Sequence, residues 1–245
     1  MAQTNPRPNH FDTKVAAHYD ADTTALCAPH VITPTIDLLA HFAGTGAALE
    51  FAIGTGRVAL PLSARGIPVS GIEYSPAMIA VLAQKLGADV IAVVQGDMAS
   101  TRLPGQFSLV YLVFNTIGNL TTQDDQIACF QNAAAHLAPG GHFVIEMFVP
   151  PRHPASAMVS DHTPDHTCID TYDPVTQRLQ SDHFTRQSDG RYRHNVTPQR
   201  CVWPTELDLM ARIAGLGPSY RWADWDRSPF AAHSPKHISV WQKPA

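Results

Sequence analysis

From residue 47 to residue 149 short apolar runs alternate with helix-like stretches, and this regularity constrains the fold more than any other feature. Residues 47–52, 68–73, 90–95, 107–114 and 142–149 read as strands. Residues 57–64, 76–86 and 123–137 between them carry helical spacing. Ser75 offers an N-cap with Pro76 in the first helical position, and Pro139-Gly140-Gly141 closes the long helix. Strands that are apolar almost throughout have no face to turn to water, so they form a parallel sheet covered by helices on both sides. Upstream, residues 11–20 read as a short helix, and 33–43 as a longer one capped by Thr33 with Pro34 next. Residues 1–10, polar and proline-rich, read as an unstructured arm.

The pattern changes after Val149. Residues 150–165 are proline-rich and read as a loop. Residues 167–172, 177–187 and 191–202 then alternate polar and apolar, joined by turns at Asp173-Pro174 and Asp189-Gly190. This is a small antiparallel β insertion after the fifth strand. A helix over 204–214 and strands near 220–225 and 237–242 follow.

A chain of 245 residues suffices for one large α/β domain with such an insertion. Its formal net charge of -4 and pI near 6.3 give no general attraction to nucleic acid or anionic lipid. No apolar run is long enough to cross a bilayer, and residues 1–10 do not read as a signal peptide. Cys27, Cys129, Cys168 and Cys201 show no CxxC spacing and read as reduced thiols. The expectation is a cytoplasmic protein without nucleic-acid or membrane partners.

The chemistry concentrates at strand ends. Residues 48–56, ALEFAIGTG, run a buried strand into a glycine turn and then a helix. Glycines let the backbone approach a ligand, and the helix start offers free N–H groups. Glu73, nineteen positions past Gly54, ends the next strand, where a carboxylate accepts both hydroxyls of a ribose. Residues 54–59 also satisfy a relaxed dinucleotide fingerprint, which keeps a nicotinamide-dependent oxidoreductase as an alternative. Three features oppose it. Glu50 inside the first strand suits an ammonium better than a pyrophosphate, Gly96-Asp97-Met98 places a carboxylate for an adenine amino group, and the chain closes on an antiparallel pair. A non-catalytic nucleoside-binding module on the same fold is the other alternative.

Here a resemblance becomes specific. VAAHYD (15–20), ALEFAIGTG (48–56), SGIEYSPAM (70–78), QGDM (95–98), FSLVYLVFNT (107–116) and LAPGGHFVIE (137–146) resemble class I S-adenosylmethionine-dependent methyltransferases. The layout is similar to the small-molecule branch that includes glycine and amino-sugar N-methyltransferases. The resemblance implies a Rossmann-like, seven-stranded, mostly parallel sheet with an antiparallel last strand. It divides the chain into a cofactor core (1–150), an antiparallel lid over the substrate (151–203) and a closing helix and hairpin (204–245). The implied activity is methyl transfer from S-adenosylmethionine to a nitrogen or oxygen of a small-molecule acceptor. Gly54 and Gly56 would line the methionine portion, Glu50 orient its amine, Glu73 hold the ribose, and Asp97 and Met98 meet the adenine. Tyr19 would close over the cofactor, with Ala52, Tyr74, Met78, Phe114 and Asn115 completing its site. Thr116, Glu146, Arg200 and Trp203 are the candidates for the acceptor pocket. Ala52-Ile53 replaces the usual Gly-Cys, making the turn stiffer and bulkier, and Ser108 replaces the usual Asp.

No catalytic base is assigned. His153, His183, His194 and His233 lie on the insertion or on loops and read as solvated side chains. His162, His166 and Cys168 do not read as a metal site, because Pro164 interrupts any helix that would align the imidazoles. Trp222, Trp225 and Trp241 read as core or dimer contacts, which leaves a homodimer open.

Overall fold

A computed structural model describes residues 8–151 and 157–245. The expected arm over residues 1–7, and His153, lie outside the described residues. The chain runs α1 (Thr13–Asp22), α2 (Pro29–Ala43), β1 (Ala48–Phe51), α3 (Ala59–Ser63), β2 (Val69–Glu73), α4 (Pro76–Leu82), β3 (Ala92–Gln95) and β4 (Phe107–Leu112). It continues α5 (Gln123–His136), β5 (Leu137–Phe148), β6 (Met158–His162), β7 (His166–Asp173), β8 (Arg178–Arg186), β9 (Tyr192–Arg200), α6 (Pro204–Ile213), β10 (Gly217–Trp222) and β11 (Lys236–Gln242).

Seven strands form one sheet in the order β10-β11-β5-β4-β1-β2-β3. β1 through β5 pair in parallel, and β11 lies antiparallel between β5 and β10. Alternate residues of β4 enter opposite layers, as expected for a sheet buried on both sides. Val110 and Leu112 join Phe51, Phe130, Phe143 and Trp241 on the α5–α6 side. Leu109 and Tyr111 join Leu39, Leu62 and Val240 on the other. The strand order reverses between β1 and β4, so their carboxyl ends flank a crevice that the fold leaves open.

Several boundaries differ from the sequence reading. Pro29, not Pro34, takes the first turn of α2, and the helix runs through Pro34 with no cap from Thr33. Residues 139–141 are a bulge inside β5: Leu137 pairs with Phe107, His142 pairs with Leu109, and Gly140 turns at φ 77°. Gly140 N–H and Lys243 O bond at 3.0 Å, so the closing strand holds that bulge in the sheet. β3 is an edge strand and mostly exposed, and Val90 precedes it in a 3₁₀ turn (Ala88–Val90).

The insertion forms a separate antiparallel sheet, β6-β7-β8-β9. β6 occupies residues expected to be loop. Its Met158–His162 pairs with β7 despite a register shift, and neighbours override the local proline-rich signal. β9 rests on the 3₁₀ turn Thr116–Asn119 after β4, where a Cβ on Gly118 would come within 3.1 Å of Gln199 Oε1.

Candidate cofactor and acceptor clefts

The β1 tip turns through Ala52 (φ 52°), Gly54 (φ 58°) and Gly56 (φ 83°) before α3. Left-handed backbone costs an alanine about 1–2 kcal/mol, so Ala52 is held there by its surroundings. Gly56 suits its left-handed φ of 83°, and a Cβ there would lie 2.4 Å from Leu82 Cδ1 and push that buried side chain aside. The bulk of Ile53 is accommodated by Gly71 of β2, where a Cβ would meet Ile53 at 2.5 Å. Ser108 donates to the carbonyls of Ala43 (2.8 Å) and Ala47 (3.1 Å), a structural bond that ties α2 to the sheet.

Glu73, buried at the β2 tip, is wired into that turn. Gly54 N–H donates to its Oε2 and Ser75 N–H to its Oε1, each at 2.8 Å. Burial raises its pKa, and the backbone N–H donors of Ser75 and Gly54 oppose the rise. Ser75 in turn caps α4, accepting from Met78 N–H at 3.3 Å. Past β3, Asp97 Oδ1 accepts from Ala99 N–H at 2.8 Å. Tyr19, Ala52, Gly54, Glu73, Tyr74, Met78, Asp97, Met98 and Thr116 line one cleft together.

Glu50 lies beneath that cleft, 3% exposed, and accepts from Tyr111 Oη at 2.9 Å. Burial pushes its carboxyl up to about 8, against the Tyr111 hydrogen bond and the charge of Arg57. Burial likewise raises the Tyr19 phenol; Arg57 opposes that shift, while Glu73 and Glu50 add to it. Both acids therefore act on one point over the cleft. Gly56 packs against α4 and does not line the cleft.

Phe114 and Asn115 line a second cleft with Arg57, Glu146, Phe148 and Lys236. Both residues have left-handed backbone, φ 57° and 61°. Glu146 Oε2 accepts from Phe114 N–H (2.9 Å), and Asn115 Oδ1 accepts from Phe148 N–H (2.7 Å). Glu146 Oε1 takes Trp225 Nε1–H (3.1 Å) and Lys236 Nζ (3.3 Å). The β4 tip is thus a partition, with Thr116 on one side and Phe114–Asn115 on the other.

Arg200 and Trp203 line neither cleft. Arg200 is buried and donates to Gln126 (2.6 Å), Gln177 (2.7 Å) and Glu206 (2.6 Å), bracing β9 against α5 and α6. Trp203 precedes α6, whose first residue is Pro204. Period-two patterning told which insertion residues face inward but not what they meet there.

The structure also brings in residues that sequence reasoning missed. Asn9, His10, Phe11, Asn119, Leu120 and Thr197 line the first cleft, although residues 8–10 read as part of an unstructured arm. Arg57 and Trp225 line the second cleft, with Arg57 5.2 Å from the Phe114 ring centre. Only the Arg57 position, directly after the glycine turn, carried a local signal. The others arrive by long-range packing.

These groups fit a nucleoside with an amino-acid tail. Two carboxylates at successive strand tips suit ribose hydroxyls and an amino group, a bare-backbone turn admits close approach, and buried Glu50, whose carboxyl burial pushes up despite the Arg57 charge, would gain from a nearby ammonium.

A family model described as "Methyltransferase domain" matches residues 48–141. The structure of the CcbJ methyltransferase from Streptomyces caelestis is similar, with 32% identity, 86% of this chain and 89% of that one covered, and a TM-score of 0.79. The putative methyltransferase YqeM of Bacillus subtilis (strain 168) is 28% identical over 56% of this chain and 53% of its own length. The dTDP-3-amino-3,6-dideoxy-alpha-D-glucopyranose N,N-dimethyltransferase of Streptomyces fradiae is 33% identical over 43% of this chain and 41% of its own. The aligned segments span about half the length of these curated relatives. Fold, site and similarity together exclude the nicotinamide reading: the chain belongs to the class I S-adenosylmethionine-dependent methyltransferases.

Proposed function

We propose that this protein transfers a methyl group from S-adenosylmethionine to an amino nitrogen of a small polar acceptor, an amino sugar or a close chemical relative. The observation that carries this reading is the grouping of Glu73, Asp97 and the Gly54 turn around one cleft with Glu50 buried below. The choice of nitrogen and of a sugar-like body rests on the similarity to the Streptomyces amino-sugar dimethyltransferase.

In this reading Glu73 takes the ribose hydroxyls, Asp97 and the Met98 backbone the adenine, and Glu50 the ammonium of the tail. When bound, the cofactor supplies an electrophilic methyl on sulfur. The chain's own work is to align the acceptor for in-line displacement and to exclude water, which can contribute on the order of 7–11 kcal/mol. Phe114 and Asn115 stand at the partition between the clefts and guide the acceptor from the second cleft. Glu146 already serves three donors, so it positions the β4 tip instead of accepting a proton. An amine that arrives neutral needs no general base. Residues 151–203 act as the acceptor lid on a core made of 1–150 and 204–245. The four cysteines are free, which supports a cytoplasmic setting. Among the described residues no helix is long and apolar enough to cross a membrane.

Isothermal calorimetry with S-adenosylhomocysteine tests the cofactor step: saturable binding is expected, lost in Gly54→Arg and Glu73→Ala. A panel of dTDP-amino sugars and simple amines, read by mass spectrometry for one added methyl, tests the acceptor. No saturable binding by the unmodified protein would end the proposal.

A further inference from the structure

Helix α1 carries Tyr19 over the cofactor cleft, and of its ten residues only Ala16 is fully buried, with Val15 and Tyr19 half-buried. A ten-residue helix with one fully buried side chain gains little from packing or from intrinsic helicity, so polar ties matter to its placement. Ser75 Oγ donates to Phe11 O (2.5 Å), Thr55 Oγ1 donates to Asp20 Oδ1 (2.6 Å), and Lys85 Nζ pairs with Asp20 Oδ2 (2.7 Å). All three reach the Rossmann-like core. The fourth reaches the insertion: Arg193 Nη2 on β9 pairs with Asp22 Oδ2 at 2.5 Å.

Asp22 lies three residues beyond Tyr19, within one turn of the same helix. Arg193 and Thr197 share one face of β9, and Thr197 lines the cofactor cleft. Arg193 Nη1 is buried and, among the described residues, has no hydrogen-bond partner. An unsatisfied buried N–H offsets part of what the Asp22 pair contributes, so this tie is easily released. Closing the insertion on the core therefore pins the helix that covers the cofactor, and opening it frees the helix.

Resting on the methyltransferase reading above, we infer that Asp22 and Arg193 are positioning residues that couple the acceptor lid to cofactor retention: the lid must lift before the spent cofactor leaves. The pair touches neither cofactor nor acceptor in this role. It acts through α1 and Tyr19. Product exchange, not chemistry, is then set by the lid.

The test is the dissociation rate of S-adenosylhomocysteine from the full-length protein, followed by surface plasmon resonance. Arg193→Met and Asp22→Asn should each speed dissociation about three- to tenfold, as expected for loss of a half-buried ion pair. The double variant should be no faster than either single, and the swapped pair Asp22→Arg/Arg193→Asp should restore a slow rate. Arg186→Met, at an exposed position on the same insertion, should leave the rate unchanged. Thermal midpoints confirm that each variant is folded. Unchanged dissociation in both single variants, additive effects in the double, or an equal effect from Arg186→Met would overturn the coupling. If the unmodified protein binds no S-adenosylhomocysteine, the functional reading itself falls and takes this inference with it.

Discussion

Strand β4 of the large sheet is buried from Phe107 to Leu112 except at Ser108, whereas β8 of the small sheet buries Leu179 and Ser181 alone. The first sheet sits between two continuous apolar layers. The second has a small apolar contact of Tyr172, Leu179 and Cys201 with Phe148, and otherwise relies on polar pairs such as His194–Asp182 (2.7 Å) and His166–Asp161 (2.9 Å). Exposed pairs of this kind each stabilise little. The large sheet is therefore held by a continuous core, and the small sheet by fewer buried contacts, with Arg200 as its main buried tie to α5 and α6.

The comparison breaks most visibly in the cores. Phe143, fully buried against Phe51, Phe130 and Trp241, should cost about 3–5 kcal/mol when changed to Ala, measured by urea denaturation. Phe184, half-buried and stacked on His194 with ring centres 4.6 Å apart, should cost under about 1 kcal/mol as Ala. Equal costs would remove the contrast.

Acid should expose the large sheet's weak point. His237 on β11 is fully buried, and burial together with the Arg221 charge lowers its pKa to about 3. A histidine that resists protonation when folded but not when unfolded gives stability that is complete above its unfolded pKa of about 6.5. That stability drains as pH falls toward 3. Folding free energy should therefore drop across this window by up to about 1.4 kcal/mol per pH unit more than in His237→Asn. Parallel slopes in the two proteins would refute it.

Glu50 sharpens the functional side. With its pKa raised to about 8 by burial, the folded apo-protein holds a proton there that the unfolded chain releases above 4.5. Its stability contribution is thus present at low pH and lost as pH climbs through 8. An ammonium beside Glu50 requires the carboxylate, so S-adenosylhomocysteine binding at neutral pH should release a proton, and affinity should rise with pH up to about 8. Calorimetry in buffers of different ionisation enthalpy reads the proton count, which should vanish in Glu50→Gln. The turn offers a change of opposite sign: Ala52→Gly relieves left-handed strain and should raise stability by about 1 kcal/mol in the same denaturation assay.

Parts of the site were legible because their signals are local. Glycines at left-handed positions, Ser75-Pro76 at a helix start, and the acids Glu73 and Asp97 at or just past the ends of two apolar runs are written in short windows. Other parts were not. Arg200, a candidate for the acceptor, is consumed by Gln126, Gln177 and Glu206, partners up to 74 residues away. Residues 150–165 concealed β6, since edge pairing with β7 outweighs a proline-rich composition. Trp225 entered the second cleft because the β10–β11 connection folds back toward β5, a distance that no window spans.

By itself the sequence determined the alternating strands and helices, the parallel sheet and the acids at its tips, because periodicity and turn chemistry act over a few residues. Tertiary structure alone decided that Glu50 is buried and does not line the cleft, that Glu146 holds the β4 tip, and that the four-stranded insertion is tied to α1 through Arg193. Those outcomes depend on which buried polar group finds which partner across the chain, and burial makes each such choice costly to leave unmet.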